Sequence, residues 1–125
     1  MYYLDSSIWI AFFSAHLNQQ FVAKMKLHTI YYSDMVLLEI ADVLSKRGVD
    51  AIEAISFIEK VGRKIELTPQ LMCEAAILKQ THRKHTPKFG ILDSTHYILS
   101  QAKDCIFVST DYDYKGLDNV EILKI

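Results

Sequence analysis

The sequence is poor in residues that break a chain into separate segments. Its 125 residues include only two prolines and four glycines, and no repeat, linker or low-complexity tract is present. The apolar run at 8–13 is far shorter than the roughly 20 residues that a membrane helix needs, and no basic region precedes it. We therefore expect no membrane span and no secretory leader, and we predict a soluble cytoplasmic protein.

Cysteine is also scarce. Cys73 and Cys105 lie far apart in apolar surroundings, without a C-x-x-C pair or a Cys/His spacing typical of metal sites. The sequence predicts that both are buried free thiols in a reducing compartment, rather than a disulfide or zinc ligands.

Neither sign of charge dominates, because the formal net charge is −1. That value argues against strong nucleic-acid binding by the whole surface. However, residues 79–88 hold four of the fourteen Lys/Arg and no acid. Lys79, Arg83, Lys84 and Lys88 are therefore candidate phosphate contacts, and an ordinary solvated loop is an equally good explanation.

The apolar content is high, at 50%, which suits one compact domain over residues 1–125. Short apolar or β-branched segments predict five strands, at 2–4, 29–32, 64–67, 105–108 and 120–123. Helical patterns fill the intervals between them. This alternation, without tight hairpin signals, predicts an α/β fold in which a parallel sheet is covered by helices on both faces.

Four acidic residues occur where strands and helices meet. Asp5 ends the first strand, Glu39 lies near the start of an apolar helix, Asp93 lies at a helix start and Asp111 follows the fourth strand. Taken singly, each has a structural explanation: Asp5 and Asp93 as helix caps, Asp111 in a turn, and Glu39 on an exposed helix face.

Taken together, the four acids point to metal binding. Glu39 and Asp93 have apolar neighbours, and a carboxylate at the edge of a core is costly without a cationic partner. No Lys or Arg in the sequence is an obvious partner. Mg²⁺ or Mn²⁺, which take oxygen ligands, would supply the missing charge and could promote phosphodiester hydrolysis.

These motifs resemble the PIN domain family, and within it the VapC-type toxin ribonucleases of toxin–antitoxin pairs. The resemblance covers nearly the whole chain. It is carried by four motifs in order, namely the strand followed by Asp5-Ser-Ser, Leu-Leu-Glu39-Ile-Ala, Leu-Asp93-Ser, and Ser109-Thr-Asp111-Tyr-Asp113-Tyr.

The resemblance implies a three-layer sandwich with a central five-stranded parallel sheet in the order 3-2-1-4-5. It also implies a Mg²⁺- or Mn²⁺-dependent endoribonuclease that cleaves single-stranded RNA and is the toxin of a type II pair. Homodimers and a small antitoxin partner would be expected.

By motif position, the resemblance implies that the four acids are catalytic and hold the metal. Asp113, Ser7 and Ser109 would be auxiliary, and Ser109 replaces the family's usual threonine. His96 stands where the family tends to be apolar. A contact with substrate is one role for it, but a satisfied or exposed side chain is the commoner role for a helical histidine.

Three alternatives stay open. A receiver domain or aspartyl phosphatase fits poorly, because it needs an early acidic pair and a late lysine. A PIN-like RNA-binding or assembly module would keep the acids without activity. A non-toxin RNA-processing nuclease would keep the activity but have another biological role.

Overall fold

Five short strands form one parallel sheet at the centre of the computed structural model, which describes all 125 residues. The strands are β1 (Tyr2–Leu4), β2 (Ile30–Tyr32), β3 (Arg63–Lys64), β4 (Ile106–Ser109) and β5 (Val120–Ile122). Their order is β3-β2-β1-β4-β5, and every neighbouring pair is parallel. The predicted strand order is confirmed.

Six α-helices connect and cover the strands. They are α1 (Ser6–Phe13), α2 (Gln19–Leu27), α3 (Asp34–Lys46), α4 (Ile52–Val61), α5 (Pro69–His82) and α6 (Ile91–Ala102). A 3₁₀ turn covers Tyr112–Tyr114. Helix α1 packs on α3 and β4, whereas α5 packs on α6. No helix combines the length and the apolar character that crossing a membrane would require.

The central strand β1 shows that both faces of the sheet are covered. Tyr2, Tyr3 and Leu4 are all buried, although successive strand residues point to opposite faces. A strand can be buried throughout only if other layers pack on both of its sides. The predicted three-layer α/β arrangement is therefore confirmed.

Local hydrogen bonds explain several helix starts. Thr68 accepts a bond from the backbone N–H of Leu71 at 3.3 Å, and Pro69 is the first helical residue of α5. Both features agree with the sequence. Asp50 accepts a bond from the N–H of Ile52 at 3.0 Å and so precedes α4 rather than beginning it.

The predicted third strand is misplaced. It was expected at 64–67, but β3 comprises only Arg63–Lys64, which pair with Tyr31 and Tyr32. Strand β2 ends at Tyr32, whose carbonyl still accepts a bond from the N–H of Ile65 at 2.8 Å, so residues 66–67 have no strand beside them. Ile65 is nevertheless buried, because the chain beyond β3 still packs its apolar side chains on the core.

The prediction of two buried thiols is half wrong. Cys105 is buried, but Cys73 is exposed. In α5 the inward face carries Leu71, Ala75 and Leu78, which recur at helical spacing. Cys73 lies two residues from Leu71 and Ala75 and therefore falls on the outer side of the helix.

The strand order creates a crevice at the carboxyl ends of β1 and β4. From β1 the chain proceeds to β2 on one side, whereas β4 lies on the other side of β1. Open α/β sheets bind ligands at such a switch point, outside the carboxyl ends of the strands. Asp5 directly follows β1, and Asp111 lies two residues beyond β4.

Candidate active site

Asp5 is fixed at the end of β1 by its backbone and its side chain. Its N–H donates to the carbonyl of Val108 at 2.9 Å, which extends the β1–β4 pairing. Its Oδ1 accepts from the N–H of Ser6 at 2.8 Å and caps α1. Ser6 and Ser7 are the first two residues of that helix, and Asp5 is its cap, as the sequence allowed.

Two serines hold the second oxygen of Asp5. Ser109 donates to Asp5 Oδ2 at 2.7 Å, and Ser7 approaches the same oxygen at 3.4 Å. The hydroxyls also accept backbone N–H groups, Ser109 from Asp111 at 3.0 Å and Ser7 from Thr110 at 3.3 Å. Both residues therefore tie the carboxylate to the chain that leaves β4.

Asp5 is only 8% exposed. Burial raises the pKa of its carboxyl group above the ordinary value, although the nearby His96 and the Ser109 hydroxyl act in the opposite direction. The charge of Glu39 raises it further. Asp5 is thus a buried carboxylate whose negative charge would be stabilised by an added cation.

Glu39 has an unexpected partner. His96 Nε2 lies 2.5 Å from Glu39 Oε1, and the imidazole is buried while the carboxylate is about one-third exposed. The other ring nitrogen, Nδ1, lies 2.8 Å from the hydroxyl of Tyr3. That hydroxyl is in turn 2.8 Å from Ser33 Oγ. Glu39 therefore ends a buried chain of four polar side chains.

The contact between His96 and Glu39 was not predicted. Only Lys and Arg were considered as internal partners of the acids, and His96 was considered as a substrate contact or a satisfied side chain. One usable signal was present: Asp93 and His96 are three residues apart and so lie on the same face of α6. Ser33 directly precedes α3 but makes no side-chain capping bond, and its hydroxyl is bonded to Tyr3.

Asp93 and Asp111 are held by local backbone. Asp93 Oδ2 accepts from the N–H of Gly90 at 2.8 Å, at the start of α6. Asp111 Oδ1 accepts from the N–H of Asp113 at 2.9 Å and caps the 3₁₀ turn. Burial raises the pKa of Asp93, and the charges of Asp111 and Asp113 add to this effect against the Gly90 bond and His96.

We call Asp5 and Glu39 the inner acids, and Asp93 and Asp111 the outer acids. One ligand atom each from Asp5, Glu39 and His96 lie within 4.8 Å of one another. The outer acids fall outside that group of three. Asp93 contacts the buried Tyr114, whose hydroxyl lies 3.5 Å from Asp93 Oδ1.

The pKa of Tyr114 is raised above its ordinary value. Burial raises it most, and the negative charges of Asp5, Asp93, Asp111 and Glu39 each raise it further. Carboxylate oxygens are the donors that Mg²⁺ and Mn²⁺ prefer, so the donor set suits a hard divalent cation.

The basic segment at 79–88 is only partly directed towards this region. Arg83 Nε donates to the carbonyl of Pro87 at 3.0 Å, so this guanidinium holds its own loop. Lys88 and Lys115 line an open cleft of about 520 Å³ together with Tyr112. His82 Nε2 is 2.8 Å from the carbonyl of Asp113 and links the end of α5 to the 3₁₀ turn.

Comparison with known proteins agrees with this architecture. The PIN domain family model matches residues 2–120. Among solved structures, VapC20 of Mycobacterium tuberculosis, described as a sarcin-ricin loop cleaving toxin, aligns with a TM-score of 0.72 and 19% identity. That alignment covers 97% of this chain and 99% of the other.

Two toxin–antitoxin structures are similar in fold. A complex from Klebsiella pneumoniae aligns with a TM-score of 0.75 and 14% identity, covering 97% of this chain and 96% of the other. VapBC2 of Rickettsia felis, bound to a promoter DNA fragment, aligns at 0.76 and 17%, covering 98% of each chain. The search of curated proteins found no match.

The fold and the site thus define a parallel α/β protein with carboxylates gathered at the switch point of its sheet. The chain belongs to the PIN domain family. The resemblance stated from the sequence is confirmed, and the structural neighbours include VapC toxins.

Proposed function

We propose that this protein is a Mg²⁺- or Mn²⁺-dependent endoribonuclease that hydrolyses phosphodiester bonds of single-stranded RNA. Its proposed role is the toxin of a type II toxin–antitoxin pair. The observation that carries the activity is the group of Asp5, Glu39 and His96, whose ligand atoms lie within 4.8 Å of one another beside the carboxyl end of β1. Membership of the PIN domain family supports the same conclusion.

In this proposal the four acids are catalytic and hold the cation. When bound, the cation supplies positive charge that polarises the phosphodiester and favours attack by water. Ser109 and Ser7 orient Asp5 through bonds of 2.7 and 3.4 Å to its Oδ2. Asp113 is auxiliary, because its backbone N–H fixes the carboxylate of Asp111.

RNA must approach an acidic region, so nearby cations are required to offset repulsion of its phosphates. We assign this role to Lys79, Arg83, Lys84 and Lys88. Lys88 has the strongest support, since it lines the cleft beside Tyr112 and Asp113. Replacing Arg83 and Lys84 with alanine should flatten the dependence of log K on log salt by about 0.7 per lost phosphate contact, as measured by fluorescence anisotropy in EDTA. An unchanged slope would remove these two residues from the interface.

The proposed partner is a small antitoxin, supported by the two toxin–antitoxin complexes among the similar folds. The molecule offers an apolar cleft of about 290 Å³ lined in part by Trp9, Phe12, Phe57 and Val61. Apolar antitoxin side chains would fit the cleft.

We also propose a homodimer. Helices α3 and α4 and their connection expose Leu38, Val49 and Ile52, whose side chains are 71%, 51% and 60% exposed. Apolar groups exposed to this extent on neighbouring elements are typical of association surfaces. Sedimentation equilibrium of the wild type and Leu38→Glu should show a dimer and a monomer, respectively; two identical monomers would contradict this.

Cleavage of a labelled single-stranded RNA tests the activity directly. The wild type is assayed with Mn²⁺ and with EDTA, beside Asp93→Asn. Asp104→Asn is the matched control. Asp104 is exposed and precedes β4, at the end of the strands opposite to their carboxyl ends. Its positive φ of 53° is one that asparagine tolerates.

We expect cleavage that requires both Mn²⁺ and Asp93 and that Asp104→Asn leaves intact. Cation binding without cleavage of any RNA in a varied panel would favour an inactive RNA-binding or assembly module. Failure to bind the cation would overturn the metal-dependent nuclease itself. Cleavage by Asp93→Asn would remove that residue from the catalytic set.

A further inference from the structure

We propose that His96 is a positioning residue that fixes Glu39 for cation binding, as the third member of a directed chain of hydrogen bonds from Ser33 through Tyr3. This inference rests on the proposed cation site. It assigns a role to three residues that have no part in the catalytic set described above.

Both nitrogens of the His96 ring are occupied. Nε2 faces Glu39 Oε1 at 2.5 Å, and Nδ1 faces the Tyr3 hydroxyl at 2.8 Å. The imidazole is 1% exposed, so water does not compete for either nitrogen. A ring held at both ends and buried cannot rotate without losing two hydrogen bonds, and it therefore restricts where Glu39 can lie.

With a neutral imidazole the chain has one consistent direction. An ionised Glu39 only accepts, so His96 Nε2 carries the proton and the Nδ1 of the neutral ring accepts. The hydroxyl of Tyr3, 2.8 Å away, then donates to Nδ1. Ser33 donates to the Tyr3 oxygen, 2.8 Å away. Every buried donor in the chain thus has an acceptor.

Direct ligation of the cation by His96 would require the opposite arrangement. The cation would need the lone pair of Nε2, so the proton would move to Nδ1, and Tyr3 would have to accept from the ring and donate to Ser33. The observed contact between Nε2 and Glu39 would be lost. The two roles therefore differ in which ring nitrogen carries the proton.

Nitrogen-15 NMR of the imidazole distinguishes the two roles without any activity measurement. In protein prepared in EDTA we expect the His96 signals of an Nε2–H tautomer. With saturating Mg²⁺, which is diamagnetic, the Nε2–H signal should persist. An Nδ1–H tautomer in EDTA, or loss of the Nε2 proton with Mg²⁺, would overturn the positioning role.

Mn²⁺ affinity, measured by electron paramagnetic resonance, tests the consequence for Glu39. His96→Leu removes the donor to Glu39 and should weaken binding by about 10- to 100-fold, the range for loss of a group that orients a ligand. His96→Gln, whose amide can still donate to Glu39, should restore most of the affinity. Equal losses in the two variants would contradict the proposal.

Tyr3→Phe is the variant least expected to disturb the fold, because it keeps the buried ring and removes only the hydroxyl. It should leave His96 in a mixture of tautomers and weaken Mn²⁺ binding severalfold. Tyr97→Phe is the matched control, since its hydroxyl donates to the carbonyl of Asp118 at 2.7 Å, outside the chain. A Tyr97→Phe protein weakened as much as Tyr3→Phe would refute the chain.

Failure of the proposed function and failure of the positioning role give different experimental results. If the wild type binds no Mn²⁺, the proposed function fails, and the tautomer in EDTA still decides whether the hydrogen-bond chain exists. If the wild type binds Mn²⁺ and His96→Leu binds it equally well in a folded state shown by circular dichroism, only the positioning role fails.

Discussion

The inner and outer acids are held in different ways. Asp5 is bonded to Ser109, 104 residues away in the chain, and Glu39 to His96, 57 residues away. The outer acids are bonded to backbone N–H groups only three and two residues away, Asp93 to Gly90 and Asp111 to Asp113. The inner acids therefore depend mainly on the tertiary fold, although Asp5 also caps α1. The outer acids depend mainly on local turns, although the Tyr114 hydroxyl approaches Asp93 at 3.5 Å.

This difference separates two tasks. Buried side-chain donors fix a carboxylate within a site and keep its orientation independent of solvent, because they are themselves packed. Local backbone donors fix a carboxylate to its own helix or turn and occupy only one of its two oxygens. The inner acids thus form the rigid part of the site. The outer acids complete it from the first turn of α6 and from the 3₁₀ turn after β4.

The largest effect on stability is expected from the serine that holds Asp5. Ser109→Ala removes a 2.7 Å bond to a buried carboxylate and should lower the free energy of unfolding in EDTA by about 1–3 kcal/mol. Ser7→Ala removes a 3.4 Å contact and should cost about 0.5 kcal/mol. Urea unfolding measures both values, with Ser109→Thr as the control that keeps the hydroxyl; equal losses for the two alanine variants would contradict the asymmetry.

A smaller effect is expected in the pH dependence of stability without metal. The pKa values of Asp5 and Asp93 are raised from 3.8 by burial. The folded state then binds more protons than the unfolded state above this value, so the free energy of unfolding falls as pH rises through the raised pKa. Asparagine at either position should flatten this fall, and more so at Asp5, which is the more buried of the two.

Urea titrations in EDTA between about pH 4 and about pH 7 would measure how steeply the free energy of unfolding falls in each variant. Asp104→Asn, which removes one exposed carboxylate, serves as the control. A steeper fall in Asp5→Asn than in the wild type would mean that the Asp5 pKa is lowered rather than raised by the fold.

The smallest effect is expected at Asp111, whose carboxylate caps a 3₁₀ turn. Asparagine accepts the same bond from the Asp113 N–H, so Asp111→Asn should change stability by no more than about 0.5 kcal/mol. Asp111→Ala should cost about 1 kcal/mol. Thermal unfolding of both variants would separate the contribution of the capping bond to stability from that of the negative charge. Equal losses of stability in the two variants would show that the turn does not depend on the capping bond.

The fold could be predicted because its signals are local. Alternating apolar segments and helix caps such as Thr68-Pro69 identify the elements, and the resemblance to the PIN domain family supplied their order. Strand β3 was misplaced because its end is set by where β2 ends, which is a tertiary fact. Cys73 was assigned to the core because its apolar neighbours were read without the phase of α5.

The site could be predicted only in part for the same physical reason. Asp5, Asp93 and Asp111 stand near element boundaries, which the sequence reveals, and the local alternatives considered for them correspond to backbone hydrogen bonds. Asp5 caps α1 as considered and Asp111 lies in a turn, but Asp93 bonds back to the N-cap Gly90 and is not itself the cap of α6. The partner of Glu39 could not be found from neighbouring residues, because His96 lies on another helix. The chain from His96 to Tyr3 and Ser33 joins three separate elements.

The measurement that tests the central claim most directly is equilibrium Mn²⁺ binding by the wild type, Asp5→Asn, Asp93→Asn and Asp104→Asn. If inner and outer acids form one site, Asp5→Asn and Asp93→Asn should each lower the affinity by at least about tenfold, while Asp104→Asn binds as the wild type does. Wild-type affinity in Asp93→Asn would contradict the account, because the outer acids would then play no part in holding the cation.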